Sequence, residues 1–191
     1  LEGVAKATAA LLLSDDLNEA INYTFKIIGT TANVDRVYLF EYHNDPLTGK
    51  TLISQRFEWC KPGITPQIHN PDLQNLPSDF LDRWNRILAN GGSVSGFIKD
   101  FPEDEKEILE AQDIISLLVV PVFVEHKLLG FIGFDDCTEG LGWSESESHI
   151  LSSVATGIGS AIMRRRSDEK LRFSENRFRV MYEESPLGLV L

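Results

Sequence analysis

The stretch that decides the fold lies at residues 116–136 and reads SLLVVPVFVEHKLLGFIGFDD. Residues 116–125 are rich in Val, Leu and Phe, residues 126–127 form a short polar turn, and residues 128–135 are apolar again. Two apolar runs joined by a tight polar turn predict a β-hairpin. Neither run alternates between apolar and polar residues, so we expect both faces of the hairpin to be covered. The hairpin should therefore lie at the centre of a sheet, with helices packed against it.

Two pairs of residues in the second apolar run carry further expectations. Gly130 and Gly133 lie inside a predicted strand, where a missing side chain usually marks a bulge or the close approach of a backbone or a ligand. Asp135 and Asp136 are a pair that could bind a metal or serve as acid and base. Because neighbours on a strand point to opposite faces, the pair is interpreted instead as a turn at the end of the strand.

Helices and strands are predicted on both sides of the hairpin. Asp16 with Glu19, and Ser144 with Glu147, have the spacing of a capping box at the start of a helix. Periodicity and turn residues predict helices at residues 1–13, 16–28, 78–90, 102–112 and 144–180, and strands at residues 36–43, 50–60 and 94–98. The proline-rich stretch at residues 60–77 is the longest irregular segment, and long loops in compact domains tend to be functional.

The composition excludes some classes of partner. The chain has 191 residues, of which 42% are hydrophobic and 25% charged, with a formal net charge of −11 and a pI near 4.8. This acidic balance argues against nucleic acid as a partner, because phosphate binding requires a basic face. No apolar run approaches the ~20 residues of a membrane helix, and no signal peptide is present. We therefore expect no membrane contact and a cytoplasmic location.

The residues that most often carry chemistry form no catalytic or metal-binding pattern. Cys60 and Cys137 have neither a CxxC nor a metal-ligand spacing, and they are interpreted as reduced thiols. The four histidines are scattered, and only His69 falls in the proline-rich loop, where a ligand could reach it. No nucleophile elbow, P-loop or HExxH motif occurs. We predict no catalytic residue, no metal and no certain cofactor, with an unknown small-molecule ligand left open.

In a specific combination of motifs the chain resembles a GAF domain, the sensory module of many bacterial signalling proteins. The motifs are FPEDE at residues 101–105, ISLLVVPV at 115–122, LGFIGFDDC at 129–137, WSE at 143–145 and ATGIGSAI at 155–162. Together they are similar to GAF modules found beside PAS domains and histidine kinases. The resemblance implies an α+β fold, with a central antiparallel sheet, helices on both faces and long terminal helices.

The end of the chain resembles the opening of a second domain. Residues 176–191, NRFRVMYEESPLGLVL, look like the start of a PAS domain, in which an amphipathic helix leads into a Ser-Pro-Leu-Gly turn. The resemblances imply a GAF domain at residues 1–166, a linking helix at residues 167–180 and the start of a truncated PAS domain at residues 181–191. Adjacent PAS and output domains of the same chain are therefore expected partners.

The resemblance also implies a ligand pocket between the sheet and residues 60–92. Several aromatic residues fall on the elements that enclose the pocket in GAF domains. The candidate pocket residues are Trp59, Cys60, His69, Trp84, Phe97 and Phe134. Plain core packing of the same aromatic residues is the alternative, and in that case Trp84, Phe97 and Phe134 would fill the space.

Some GAF domains carry a covalently attached linear tetrapyrrole, a bilin. They attach it through a cysteine that is usually followed directly by histidine. Here Cys60 precedes Lys61 and Cys137 precedes Thr138, so that pattern is missing. The signature NKxxxFxxxDE of cyclic-nucleotide GAF domains has no counterpart either.

The terminal helices allow two explanations. One is that they simply cover the sheet, and the other is that, as is common in GAF-containing sensors, they form a parallel bundle in a homodimer. The candidate residues of a dimer bundle are Val4, Leu11, Ile150, Val154, Ile158, Ile162 and Leu171.

Three functional hypotheses follow. The first is a sensory GAF domain that binds a small molecule and relays the signal through its terminal helices to an output domain, such as that of a histidine kinase or a diguanylate cyclase. The second is a ligand-free spacer that dimerises and transmits strain. The third is a chemical role, either as a covalent bilin photoreceptor or as an enzyme. No set of residues in the sequence supports this role.

Overall fold

The computed structural model describes residues 2–14, 16–140 and 142–183, and in these residues the strands form one six-stranded antiparallel sheet. The strands are β1 (Arg36–Asn44), β2 (Thr51–Cys60), β3 (Leu76–Pro77), β4 (Val94–Phe97), β5 (Ser116–Val124) and β6 (Lys127–Asp136). Their order across the sheet is β3-β2-β1-β6-β5-β4. The predicted antiparallel sheet is confirmed, and β4 forms its edge as expected.

The predicted hairpin is formed by β5 and β6, with its turn one residue earlier than expected. Val124 pairs with Lys127, so Glu125 and His126 are the two turn residues. Both have positive φ angles, 49° and 64°, which match the twist of the adjoining strands in a two-residue turn. Residues on both faces of the hairpin are buried, as its unbroken apolar runs predict.

Five α-helices lie outside the sheet in the described residues. They are α1 (Glu2–Leu13), α2 (Leu17–Ala32), α3 (Asp82–Ala89), α4 (Glu103–Glu110) and α5 (Glu145–Glu183). Asp16 caps α2 by accepting hydrogen bonds from the N–H groups of Asn18 and Glu19. Ser144 and Glu147 form the predicted reciprocal capping box at the start of α5. None of the described helices combines the length and apolar character needed to span a membrane.

One helix prediction requires correction. The helix expected at residues 78–90 is divided into a short 3-10 turn, Ser78–Leu81, and α3, because Leu81 has non-helical angles of φ −109° and ψ 36°. The helix predicted at residues 144–180 is confirmed, because α5 runs without a break from Glu145 to Glu183 and includes residues 167–180. The predicted start of a PAS domain falls almost wholly on residues 184–191, which lie outside the described residues.

The sheet separates two buried clusters, because successive strand residues point to opposite faces. On one face Val37, Leu39, Leu118, Val120, Ile132 and Phe134 pack against α1, α2 and α5. We call this the helix-side core. On the other face Tyr38, Phe40, Leu117, Val119 and Phe131 pack against Trp84 and Leu88 of α3, Leu109 of α4 and Ile114.

The two glycines of β6 admit close approaches, as predicted. A Cβ atom on Gly133 would overlap the ring of Tyr38, which lies directly across the strand pair from it. A Cβ atom on Gly130 would overlap the carbonyl oxygen of Phe40. The approach at Gly133 lets the Tyr38 ring lie flat on the sheet, with its hydroxyl group beside Asp135.

Candidate ligand pocket

A small cavity lies between the sheet and the segment of chain that runs from β2 to β5. Its volume is about 40 Å³, far below the 300–1,000 Å³ typical of pockets for drug-sized ligands. Most of its lining is apolar. The lining residues are Arg36, Tyr38, Phe40, Gln55, Leu73, Leu76, Phe80, Leu81, Trp84, Ile108, Leu109, Gln112, Ile114 and Phe131.

Arg36 is the central polar residue of the cavity, although it is only 1% exposed. Its Nη1 lies 3.4 Å from Asp135 Oδ2, and its Nη2 donates to the carbonyl oxygens of Gln112, at 3.2 Å, and Thr65, at 3.4 Å. Its Nε lies 3.8 Å from Glu58 Oε1. One buried guanidinium group therefore holds together the end of β6, the end of β2 and two loops.

Asp135 lies opposite Arg36 and is fully buried. The predicted strand-end turn holds for Asp136, the last residue of β6, whose Oδ1 accepts from the N–H groups of Thr138 and Glu139, whereas Asp135 is a buried strand residue. Tyr38 donates its hydroxyl hydrogen to Asp135 Oδ1 at 3.0 Å. Burial raises the pKa of Asp135 to about 7, while the charge of Arg36 and the bond from Tyr38 oppose the shift. Burial prevails because the one guanidinium group is shared with Glu58, so its charge only partly offsets the desolvation of Asp135.

This balance predicts a pH effect on stability. In the unfolded chain Asp135 loses its proton near pH 3.8, but in the folded chain it keeps the proton until about pH 7. The folded state therefore binds more protons in this window, and Asp135 destabilises it as the pH rises from about 4 to about 7. We expect the free energy of unfolding of the wild type, relative to Asp135→Asn, to fall through this window and to level off above it.

Urea unfolding at a series of pH values between roughly 3.5 and 8 measures this difference. Glu147→Gln is the matched contrast, because hydrogen bonds from Ser144 lower the pKa of Glu147. The stability of the wild type relative to Glu147→Gln should rise with pH through the acid range. If the stability of the wild type relative to Asp135→Asn also rises with pH, then Arg36 outweighs burial. That result would contradict the raised pKa of Asp135.

Glu58 and Gln55 complete the polar end of the cavity. The Glu58 carboxylate accepts from the N–H groups of Gln67 and Ile68 and from Gln55 Nε2, at 2.9, 3.0 and 3.1 Å respectively. Besides Trp143 Nε1, two buried side-chain atoms remain without a hydrogen-bond partner among the described residues, Arg36 Nε and Gln55 Oε1. Both belong to residues that line the cavity. A donor and an acceptor are thus unsatisfied in two residues that line the same small space.

The outer wall of the cavity is formed by the 3-10 turn Ser78–Leu81 and by α3. Phe80 lines the cavity and is 42% exposed, which places it at the mouth. Trp84 donates from Nε1 to Glu105 Oε2 at 2.8 Å, and its ring packs edge-on against Phe131 at 5.7 Å. Arg83 binds both Glu105 oxygens, at 2.7 and 2.6 Å. These contacts fix α3 to α4, whereas the turn that carries Phe80 has no such anchor to α4 among the described contacts.

The structure separates the six predicted pocket residues. Trp84 lines the cavity, and Cys60 lies at the end of β2 opposite Arg36. Trp59 and Phe134 lie on the helix-side core, where Trp59 covers Gly29 of α2. Phe97, on the edge strand, does not line the cavity, and His69 is exposed in the loop.

Both cysteines are free thiols with little nucleophilic character. Burial and the charge of Glu58 raise the pKa of Cys60 to about 12, with Arg36 opposing the shift. Burial likewise raises the pKa of Cys137 to about 12. A thiol needs a depressed pKa to react as a thiolate at neutral pH. Among the described residues no cluster of His, Cys, Asp or Glu is placed to hold a metal ion.

The predicted dimer residues also fall into two groups. Leu11, Val154, Ile158 and Ile162 are at most 5% exposed and belong to the helix-side core, so they cover this chain's own sheet. Ile150 and Leu171 are 47% and 60% exposed on α5. Val4 lies in α1, and its side chain is not among those that the structure describes.

Of the polar residues around the cavity other than Cys60, only Asp135 was considered from the sequence, as half of an aspartate pair. Arg36, Tyr38, Gln55, Glu58 and Asp135 come from three strands, and the Arg36–Asp135 pair joins residues 99 positions apart. One signal was available: Gln55 lies two residues from the apolar Ile53 and Phe57, and Arg36 directly precedes the apolar Val37. A polar residue inside an otherwise buried strand needs a partner, and such residues often meet at a site.

A match to a protein family places the chain in a sensory and regulatory type of domain rather than a catalytic one. The chain belongs to the GAF domain family, whose sequence profile matches residues 16–162. Over 168 residues it is 41% identical to the methanogenesis regulatory histidine kinase FilI of Methanothrix harundinacea (strain 6Ac), a match that covers 87% of this chain and 19% of FilI. It is 21% identical over 174 residues to the circadian input-output histidine kinase CikA of Synechococcus elongatus, covering 83% of this chain and 23% of CikA. The chain thus spans about a fifth of the length of these curated relatives.

Solved structures with the same fold include bilin-bound GAF domains. The phycocyanobilin-bound GAF domain from a cyanobacterial phytochrome has a TM-score of 0.70 at 19% identity, covering 87% of this chain and 95% of that one. A far-red absorbing dark state with bound biliverdin IXa has a TM-score of 0.71 at 16% identity, covering 85% and 98%. At these identities the likeness concerns the fold, and it confirms the GAF-like α+β architecture.

Proposed function

We propose that this GAF domain senses a small molecule, which binds noncovalently in the cavity beside Arg36 and changes the terminal helices. The observation that carries the proposal is the pair of buried, unsatisfied polar atoms, Arg36 Nε and Gln55 Oε1, at a mostly apolar cavity. Buried polar groups are almost always satisfied, so a bound molecule that satisfies them is favoured. In the whole protein the output would be a histidine kinase, as in the named relatives FilI and CikA.

Strand β1 offers a direct route from the cavity to the output helix. Arg36, Tyr38 and Phe40 line the cavity, while Glu41 on the other face of the same strand pairs with Arg166 of α5. Two residues earlier in α5, Arg164 Nη2 donates to the carbonyl oxygen of Leu11 in α1 at 2.6 Å. A shift of β1 on ligand binding would therefore reach both terminal helices through two named contacts.

Native and denaturing mass spectrometry of the purified protein test the binding step. We expect an added mass under native conditions that is lost on denaturation. Ile108→Trp should abolish it, because Ile108 of α4 lines the cavity and a larger ring would fill the space. Glu107→Trp, at the adjacent exposed position of α4, is the matched control and should keep the mass. An added mass that survives denaturation, or that persists in Ile108→Trp, would contradict the proposal.

The ligand-free spacer is the second candidate, and the small volume of the cavity favours it. A wild-type protein that is bare under native conditions would support this candidate against the sensor. A covalent bilin finds less support, although the structural neighbours carry bilins. Both thiols have raised pKa values, and about 40 Å³ is too little for a tetrapyrrole.

We also propose that the domain dimerises through α5. Ile150 and Leu171 are 21 residues apart, three heptads, so in a supercoil they lie on the same side of the helix. Both are exposed in the single chain, as is most of the helix beyond Ile162. Sedimentation velocity should detect a dimer whose dissociation constant rises at least about tenfold in Leu171→Asp, because a charge is placed in an apolar contact.

The neighbouring exposed position supplies the control for the dimer. Arg172→Asp changes the charge of the same helix away from the proposed stripe and should leave the dissociation constant nearly unchanged. A wild-type protein that is monomeric at every concentration would contradict the dimer. We include in this proposal a cytoplasmic location and a PAS domain following α5.

A further inference from the structure

The two unsatisfied atoms at the cavity have opposite hydrogen-bonding character. Arg36 Nε is a donor and Gln55 Oε1 is an acceptor, and their residues are 1% and 3% exposed. The atoms are also neighbours of one oxygen: Gln55 Nε2 donates to Glu58 Oε1 at 3.1 Å, and Arg36 Nε lies 3.8 Å from that same oxygen. A ligand that satisfies both must therefore present an acceptor and a donor close together.

The charges around these atoms select against an anion. The single guanidinium group already faces two carboxylates, Asp135 at 3.4 Å and Glu58 at 3.8 Å. An anionic ligand would add a third negative charge at a buried site without a second cation to offset it. Burying a charge without a partner is strongly unfavourable. A cationic ligand would gain little as well, because the unsatisfied Arg36 Nε is a donor and needs an acceptor as its partner.

We propose that the cavity binds a small uncharged amide, whose carbonyl oxygen accepts from Arg36 Nε and whose N–H group donates to Gln55 Oε1. The proposal rests on the sensory function proposed above and specifies its ligand class. An amide carries an acceptor and a donor on adjacent bonds, without net charge. The volume of about 40 Å³ restricts the ligand to a few non-hydrogen atoms, and the walls formed by Phe40, Ile114 and Phe131 suit a short alkyl group.

Entry would occur at Phe80. This residue lines the cavity and is the partly exposed aromatic residue at its mouth. It lies in the short turn between β3 and α3, whereas Trp84 behind it is fixed by its bond to Glu105. A rotation of the Phe80 side chain would open the cavity without disturbing α3.

Three molecules of nearly the same shape test the ligand class. Propionamide has the acceptor and the donor, butan-2-one replaces the amino group by a methyl group, and propionate replaces it by a charged oxygen. Titration calorimetry on the wild-type domain at pH 8 should give the tightest binding for propionamide, a probe that so few atoms limit to the millimolar range and that binds more weakly than the ligand retained in purification. Binding of butan-2-one and of propionate should each be weaker by at least about tenfold.

Gln55→Met isolates the role of the acceptor. This variant keeps the length of the side chain and removes Oε1, so propionamide should lose its advantage over butan-2-one. Arg56→Met, at the adjacent exposed position of β2, should keep the wild-type preference. If Gln55→Met does not fold, the ranking of the three molecules on the wild type decides alone.

Each outcome has a separate meaning. Tighter binding of propionate, or equal binding of propionamide and butan-2-one, overturns the amide class while leaving a ligand-binding cavity. Failure of all three to bind overturns the amide proposal and points to ordered water at the two polar atoms. The sensory function fails on different evidence, namely when a bound molecule leaves the terminal helices unchanged.

Discussion

Replacing Arg36 by methionine is expected to lower the free energy of unfolding by about 3–5 kcal/mol at neutral pH. The substitution keeps much of the volume but leaves Asp135 and Glu58 buried without their shared cation. It also removes the donor to the carbonyl oxygens of Gln112 and Thr65. Breaking a buried pair by deleting one partner is among the most destabilising single changes, because the remaining charge is uncompensated. Urea unfolding monitored by circular dichroism measures the effect.

Two comparisons sharpen this test. Arg56→Met changes an exposed arginine on β2 and should alter the stability by no more than about 0.5 kcal/mol. Asp135→Asn should stabilise Arg36→Met more than it stabilises the wild type, because Arg36 offsets part of the cost of burying Asp135. A loss below about 1 kcal/mol in Arg36→Met, or equal stabilisation by Asp135→Asn in both backgrounds, would show that Arg36 does not organise the cavity.

Replacing Phe131 by alanine should lower the free energy of unfolding by a similar amount, about 3–5 kcal/mol, for a different reason. Phe131 is 2% exposed, its ring is stacked on Phe40 at 5.2 Å, and Trp84 packs edge-on against it. Deleting the ring removes these contacts and leaves a void continuous with the existing cavity. The same unfolding measurement applies, with Phe173→Ala as the control, since Phe173 is 65% exposed.

The enlarged cavity gives this variant a second readout. A dry apolar cavity left by a large side chain can bind benzene, so benzene should raise the melting temperature of Phe131→Ala and not that of the wild type. A loss of stability below about 1.5 kcal/mol would mean that the surrounding side chains collapse into the space. That result would contradict the rigid wall that the ligand proposal requires.

The elements of the fold could be predicted because their signals are local. The hairpin at residues 116–136 follows from two apolar runs and a turn, and the start of α5 follows from Ser144 and Glu147. The predicted position of the hairpin turn was wrong by one residue because no glycine or asparagine marks the turn. Glu125 and His126 adopt the positive φ angles instead.

The cavity could not be predicted to the same extent because its contacts are not local. A bulge in the pairing of β1 with β2 skips Arg56, since Leu39 pairs with Phe57 and Phe40 with Gln55. Beyond this bulge the side chains of β2 alternate between the two faces of the sheet in the opposite order. Gln55 and Glu58 therefore lie on the same face and meet, although they are three residues apart. The same reversal sends Trp59 to the helix-side core and away from the cavity. Aromatic character alone does not report which face a residue occupies.

The most direct test of the account asks whether an occupied cavity changes the output helix. Hydrogen exchange followed by mass spectrometry would compare the wild-type domain with and without saturating propionamide. We predict slower exchange in residues 61–115 around the cavity and also in the part of α5 near Arg166, with the second effect lost in Glu41→Gln. Slower exchange confined to residues 61–115 in the wild type would contradict the relay, and unchanged exchange throughout would contradict binding itself.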